Sequence, residues 1–185
     1  LNDPRQAPWA IDVYPDKIGS SVELRPRVSP DPRFVYRADD VPASTHPPLA
    51  AAMAKLAGQT DNEVVWDPFC GSGLELIERS LLGGVQAIIA SDIAPKAVEI
   101  ARLNLEKAGV TNASVSTHAC DFREHQHIEG LPAGGVSLMI TNPPLGRRVR
   151  VADMQGLFEA IFKVAASSLR SGGRLVILNP LKRPN

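Results

Sequence analysis

Cysteine is scarce in this chain: Cys70 and Cys120 are the only two among 185 residues. That count gives no disulfide framework, and a reduced, cytoplasmic setting is the expectation. Net charge is absent as well, since 20 Lys and Arg balance 20 Asp and Glu. Bulk electrostatics alone therefore does not hold this protein on nucleic acid, and any such contact must come from a local cluster. No apolar run approaches the roughly 18 residues that span a bilayer, and no basic stretch followed by an apolar one opens the chain as a secretory signal would. No membrane association is expected. Glycine is nearly missing from the first 48 residues, which hold Gly19 alone of 14, whereas nine of the 16 prolines fall there. A stiff, punctuated segment of that size cannot build a stable core of its own. Residues 1–48 are expected to be a lead-in, with strand-like pieces at Ser20–Arg25 and Arg33–Arg37, packing on a main domain at 49–185. The lead-in reads as the end of a linker from a further domain.

What is present is an ordinary globular balance, 44% apolar and 22% charged, with regular alternation after Pro48. Pro47-Pro48 starts a helix over Leu49–Ala57, and Gly58 stops it. Glu63–Asp67 is a short buried strand. Leu74–Leu82 is helical up to Gly83-Gly84, and Gln86–Asp92 is a second buried strand. In the helix Ala94–Ala108, residues Ala94, Val98, Ala101, Leu105 and Ala108 share a face, with Gly109 as the cap. Ala113–His118 and Val136–Thr141 are further strands. Met154–Leu169 places Leu157, Ile161, Val164 and Leu169 on one stripe that Gly172-Gly173 ends, and Arg174–Asn179 is the fifth strand. Strands and helices alternating at this spacing predict βαβ units: an α/β, Rossmann-like, doubly wound, mainly parallel sheet covered on both faces. Ligands of such sheets lie beyond the carboxyl ends of the strands.

The residues following the strands carry the chemistry. After the first comes Asp67-Pro68-Phe69-Cys70-Gly71-Ser72-Gly73, a turn whose glycines let the backbone approach a ligand at a helix N-terminus. A dinucleotide fingerprint needs a further glycine where Leu76 stands, and no Gly-Lys-Ser/Thr follows, so NAD and ATP are disfavoured. The second strand ends at Asp92-Ile93, nineteen residues beyond Gly73. An acid there either caps the next helix or accepts hydrogen bonds from ribose hydroxyls. The third strand runs into Cys120-Asp121-Phe122, an acceptor beside an apolar ring. The fourth ends in Thr141-Asn142-Pro143-Pro144-Leu145-Gly146. Two prolines remove two N–H donors, and the remaining carbonyls with the Asn142 amide suit an exocyclic amine.

Together these segments resemble class I S-adenosylmethionine (SAM)-dependent methyltransferases that act on amines. Asp67-Pro-Phe-Cys-Gly-Ser-Gly, Asp92-Ile-Ala-Pro-Lys-Ala-Val with Ala101-Arg-Leu-Asn-Leu, and Thr141-Asn-Pro-Pro-Leu-Gly-Arg-Arg look like the THUMP-associated RNA guanine-N2 methyltransferases over about Phe34–Asn179. The resemblance implies a cofactor site made by Asp67, Phe69, Cys70, Gly71, Ser72, Gly73, Asp92, Ile93, Asp121, Phe122 and Asn142. It implies that Asn142, Pro143, Pro144 and Leu145 receive the target amine, and that SAM is converted to S-adenosylhomocysteine. Two departures stand out. Leu145 occupies a position usually aromatic, where a ring stacks on the extruded base. The chain also ends soon after the fifth strand, while the family's sheet runs 3-2-1-4-5-7-6. Two last strands and an RNA-binding THUMP domain are therefore expected to be missing.

The expected function is methylation of guanine N2 in tRNA or rRNA, by direct transfer with no covalent nucleophile, in a monomer. Adenine-N6 methylation of DNA or RNA, methylation of a protein glutamine amide, and an inactive SAM-binding scaffold are the rivals. Arg147, Arg148 and Arg150, just after the amine corner, are expected to contact RNA phosphate. Cys120, His125 and His127 have metal-like chemistry but no convincing fourth ligand, so no metal site is expected.

Overall fold

The computed structural model describes residues 9–15, 18–26, 35–42, 44–145 and 152–179. It divides into two compact units, Leu1–Phe34 and Val35–Asn185. The first contains an antiparallel hairpin of β1 (Trp9–Pro15) and β2 (Ser20–Pro26). The pairs Ile11↔Leu24 and Val13↔Val22 put exposed apolar side chains opposite one another. β2 falls where the sequence predicts a strand; β1 does not announce itself, because Pro8 just before it and Pro15 at its end punctuate a short run. Val35 and Tyr36 form a turn and not the expected strand, and Arg33 and Phe34 lie outside the described residues.

The second unit begins fourteen residues earlier than the expected boundary at 48. The reason is chemical: Tyr36 is buried and donates its hydroxyl hydrogen bond to Glu78 Oε1 at 2.6 Å. Its elements follow in the order α1 (Pro47–Ala57), β3 (Glu63–Asp67), α2 (Leu74–Leu81), β4 (Val85–Asp92), α3 (Pro95–Lys107), β5 (Ser114–Ala119), a 3-10 segment (Phe122–His127), β6 (Val136–Thr141), α4 (Met154–Ser168) and β7 (Leu169–Ile177). Prolines open α1 and α3 at their first positions, where a missing N–H costs nothing. Asp153 caps α4 by accepting from the Gly156 N–H at 2.8 Å.

The strands form one sheet ordered β5-β4-β3-β6-β7, with every pair parallel. Counted from β3, this is 3-2-1-4-5, and the order reverses between β3 and β6. The pleat sorts the core with period two. Val65, Ile88, Ala90, Leu138 and Ile140 face a cluster built with α1, α2 and α3, whereas Trp66, Ile89 and Met139 face one built with the 3-10 segment and α4. Both faces are thus covered, as a parallel sheet requires. Trp66 is fully buried, and its indole N–H finds Ser91 Oγ at 2.9 Å.

One boundary departs from the expectation. Helix α4 ends at Ser168, and Leu169 is already paired with Val136, but the next pair is Leu138 with Arg174. The four residues Arg170–Gly173 loop out between these pairs, with Gly172 at φ +74°. The glycine pair therefore turns the strand and does not end the helix. Beneath the sheet, at the amino end of β3, Glu63 is wholly buried and ion-paired with Arg79 of α2 and Arg174 of β7. Thr60 Oγ1 donates to the same carboxylate at 2.6 Å. This junction ties α2 and β7 to β3 at the end opposite the strand-end residues.

Candidate functional site

The carboxyl ends of β3, β4, β5 and β6 meet along one rim. The turn after β3 is held by Cys70 N–H donating to Ser91 O at 2.9 Å and Gly73 N–H donating to Cys70 O at 2.7 Å. Gly71 and Gly73 have φ of +51° and +82°. A Cβ on Gly73 would sit 3.3 Å from Ala101 Cα on α3, so backbone packing as well as conformation demands glycine. At the end of β4, Asp92 accepts from Gly71 N–H at 3.0 Å and from Ala94 N–H at 2.9 Å. It therefore joins the turn to the start of α3. Each carboxylate oxygen has about two acceptor sites, so both retain capacity for a ligand hydroxyl.

Cys120 N–H donates to Asp92 O at 2.9 Å, which brings the end of β5 against that of β4. Asp121 accepts from Arg123 N–H at 2.9 Å, and the Arg123 guanidinium lies over the Phe122 ring, 4.8 Å from its centroid. The Phe69 and Phe122 rings are 4.8 Å apart. These groups, with Ile93, Pro144 and Asp153, line a cavity of about 330 Å³, within the range of small-molecule sites. It draws on the residues after all four strands, and its walls are apolar apart from Asp121, Arg123 and Asp153.

The strands flanking the reversal of order are joined by Thr141 Oγ1, which donates to Asp67 Oδ1 at 2.6 Å, while Phe69 N–H donates to the same oxygen at 3.0 Å. Asp67 Oδ2 is buried with no partner among the described residues. Burial, and next the negative charge of Glu75, push the Asp67 carboxyl well above the ordinary range. Glu75 is also raised by burial, with the Thr45 hydroxyl pulling the other way. Asn142 Nδ2 donates to Thr45 Oγ1 at 2.8 Å, and Thr45 Oγ1 donates to Glu75. Asn142 Oδ1 is buried and unpartnered among the described residues. Burial raises the thiols of Cys70 and Cys120, so neither is a ready thiolate.

The residues singled out from the sequence after β3, β4, β5 and β6 thus fall on one rim, with Pro143 buried and Pro144 and Leu145 half-buried. Arg147, Arg148 and Arg150 lie outside the described residues. Four further residues contribute: Asn104 and Thr141 lie in the segments that carry the resemblance, Thr45 lies in Ser44–Pro47, a segment whose sequence reads equally as a cover over the cofactor or as core packing, and Glu75 gives no sequence signal. Asn104, wholly buried on α3, accepts from Ala38 N–H at 2.7 Å and Asp39 N–H at 3.2 Å. It donates to Asp39 O at 3.0 Å and to Ser72 O at 2.9 Å. Its amide fastens residues 38–39 to the glycine turn. The sequence signal was an asparagine on the apolar side of α3. Among the described residues no three His, Cys, Asp or Glu side chains gather as metal ligands, and no helix is long and apolar enough to cross a membrane.

The donor set fits SAM. An orphaned buried acid beside a glycine turn suits a cationic amino-acid end, a half-buried Asp92 suits a ribose diol, and the apolar cavity with Asp121 on its wall suits adenine. Comparison with known proteins points the same way. A tRNA (guanine(10)-N2)-dimethyltransferase of Methanothermobacter thermautotrophicus is 31% identical over 142 residues, covering 75% of this chain and 39% of the relative. A ribosomal protein L11 methyltransferase of Hamiltonella defensa is 31% identical over 144 residues, covering 74% of this chain and 45% of the relative. The chain spans less than half the length of these two relatives. Among solved structures, TrmN from Thermus thermophilus superposes with a TM-score of 0.65 at 25% identity, over 95% of this chain and 50% of that one. Residues 35–183, which span every element of the second unit, match the RMKL-like methyltransferase domain, and the chain belongs to that family.

Proposed function

We propose that this protein methylates an exocyclic amine of a nucleobase in RNA, guanine N2 of a tRNA or rRNA, using SAM. The observation that carries the reading is Asn142 Oδ1: a buried acceptor with no partner among the described residues, at the end of a central strand and followed by two prolines. A buried amide oxygen left unpaired costs about 1–3 kcal/mol, which a substrate N–H removes. Asn142 Oδ1 and the Pro143 carbonyl accept from the target amine and turn its lone pair toward the donor. SAM, when bound, supplies the electrophilic methyl group. Asp67 and the Gly71–Gly73 turn hold its methionine end, Asp92 its ribose, and Asp121 with Ile93 and Phe122 its adenine. Bringing the two reactants together in a fixed alignment lowers such a barrier by about 7–11 kcal/mol. A stacked base must first be extruded, and Arg147, Arg148 and Arg150 are proposed to hold the adjoining phosphates.

The tRNA guanine-N2 relative supports this substrate. The ribosomal protein L11 relative favours a second reading, methylation of a protein nitrogen by the same corner. Calorimetry tests the cofactor half of the proposal. SAM is expected to bind, and Asp92→Ala to weaken it by about 10- to 150-fold, since a hydrogen bond to a charged group contributes roughly 1.5–3 kcal/mol. Binding should also release a proton. The Asp67 carboxyl is raised in the free protein, and a cation beside it favours the ionised form. Affinity should therefore fall as pH drops through the raised pKa, and the heats should vary with buffer ionisation enthalpy. No heat with SAM, or an affinity indifferent to Asp92→Ala, contradicts the assignment.

A further inference from the structure

We propose that Thr45 and Glu75 are a positioning pair that decides which end of the Asn142 amide meets the substrate. The inference rests on the reading of Asn142 as the amine's acceptor. The oxygen and nitrogen of a side-chain amide are nearly the same size, so only hydrogen bonding orients them. At Asn142 the polarity is forced by a relay across three elements. Glu75, in the first turn of α2, is buried and accepts from the Thr45 hydroxyl. The single proton of the buried Thr45 hydroxyl is therefore committed to Glu75. What remains on Thr45 Oγ1 is lone-pair density, which can bind only a donor. Asn142 answers with Nδ2 at 2.8 Å, and its Oδ1 has no partner among the described residues. Reversing the amide would set two acceptors against each other at Thr45 and aim two N–H donors at a substrate that itself donates N–H. Thr45 and Glu75 are nearly closed to water, so no solvent molecule corrects the error.

The test has two arms. The first reads the relay directly: the side-chain amide protons of Asn142 in ¹⁵N-labelled protein, identified by their loss in Asn142→Ala. The second measures methyl transfer from labelled SAM to unmodified tRNA transcripts, with SAM affinity determined separately. Thr45→Val keeps the shape but removes the hydroxyl. It should abolish the hydrogen-bonded shift and slow exchange of the Asn142 amide. It should lower kcat about 10- to 100-fold, the scale of a small misplacement at a reacting centre, with SAM affinity within about threefold. Thr45→Ser should recover most of both losses. Glu75→Gln, which can donate as well as accept, should lower kcat even with Thr45 intact, and it serves if Thr45→Val does not fold. An unchanged amide signal or an unchanged kcat in Thr45→Val overturns the inference. So does a loss of SAM affinity that matches the loss of kcat, because Thr45 would then belong to the cofactor site. Wild-type protein that leaves the transcripts unmethylated counts against the RNA reading instead, and the amide signal still decides the relay.

Discussion

Asn142→Ala is expected to lower turnover by about 10²–10³-fold, the effect of removing one preorganised polar group aimed at a reacting centre, while SAM affinity stays within about threefold. The asymmetry follows from where the side chain sits. Its nitrogen is occupied by Thr45, and its oxygen has no partner among the described residues. The glycine turn and Asp92 are held by other bonds, from Ser91, Cys70 and Ala94. Truncation therefore removes the amine's acceptor and leaves the cofactor's frame standing. Single-turnover rates with saturating SAM, set beside calorimetric affinities, measure both halves. Parallel losses in the two would move Asn142 from the amine corner to the cofactor site.

The second large effect lies at the other end of the sheet. Glu63→Ala is expected to destabilise the unit by about 3–5 kcal/mol, because removing one partner of a buried ion pair strands the other charge. Arg79 is wholly buried, and its remaining hydrogen bond, to Gly83 O at 2.8 Å, does not neutralise it. Arg174 of β7 loses the same carboxylate. Urea denaturation followed by circular dichroism reads the change. Glu63→Ala combined with Arg79→Leu should recover much of it, since neither charge is then left alone in the core. A single variant within about 1 kcal/mol of wild type would mean that water reaches Arg79.

Most of the architecture is legible in the sequence because its signals are local. Glu63–Asp67 and Val136–Thr141 fall where apolar runs predict strands, and Pro95 and Gly109 bracket α3 as a helix start and stop do. Asp92 illustrates a reading with two open alternatives. Asp92 does not cap α3, whose N-cap is Ala94 with no side-chain bond; its carboxylate accepts from the Ala94 and Gly71 amides and so joins the glycine turn to the start of the helix. The misses are non-local. Thr45, Glu75 and Asn142 converge from positions 30 and 97 residues apart. No periodicity relates them, and a glutamate in a helix reads as solvent-facing until its neighbours are known. Glu63 and Arg79 were hidden for the same reason, as charges within an apolar strand and an amphipathic helix. The start of β7 at Leu169, five residues before the expected Arg174, is not legible because Gly172-Gly173 resembles a helix stop, whereas the glycines serve a four-residue excursion in β7.

The most direct test of the account is mass spectrometry of nucleosides from unmodified tRNA and rRNA incubated with SAM and either wild-type protein or Asn142→Ala. The account predicts N2-methylguanosine with the wild type and its near absence with the variant. Methyl groups recovered on adenine N6, or only in protein from a parallel incubation with ribosomes, would contradict it.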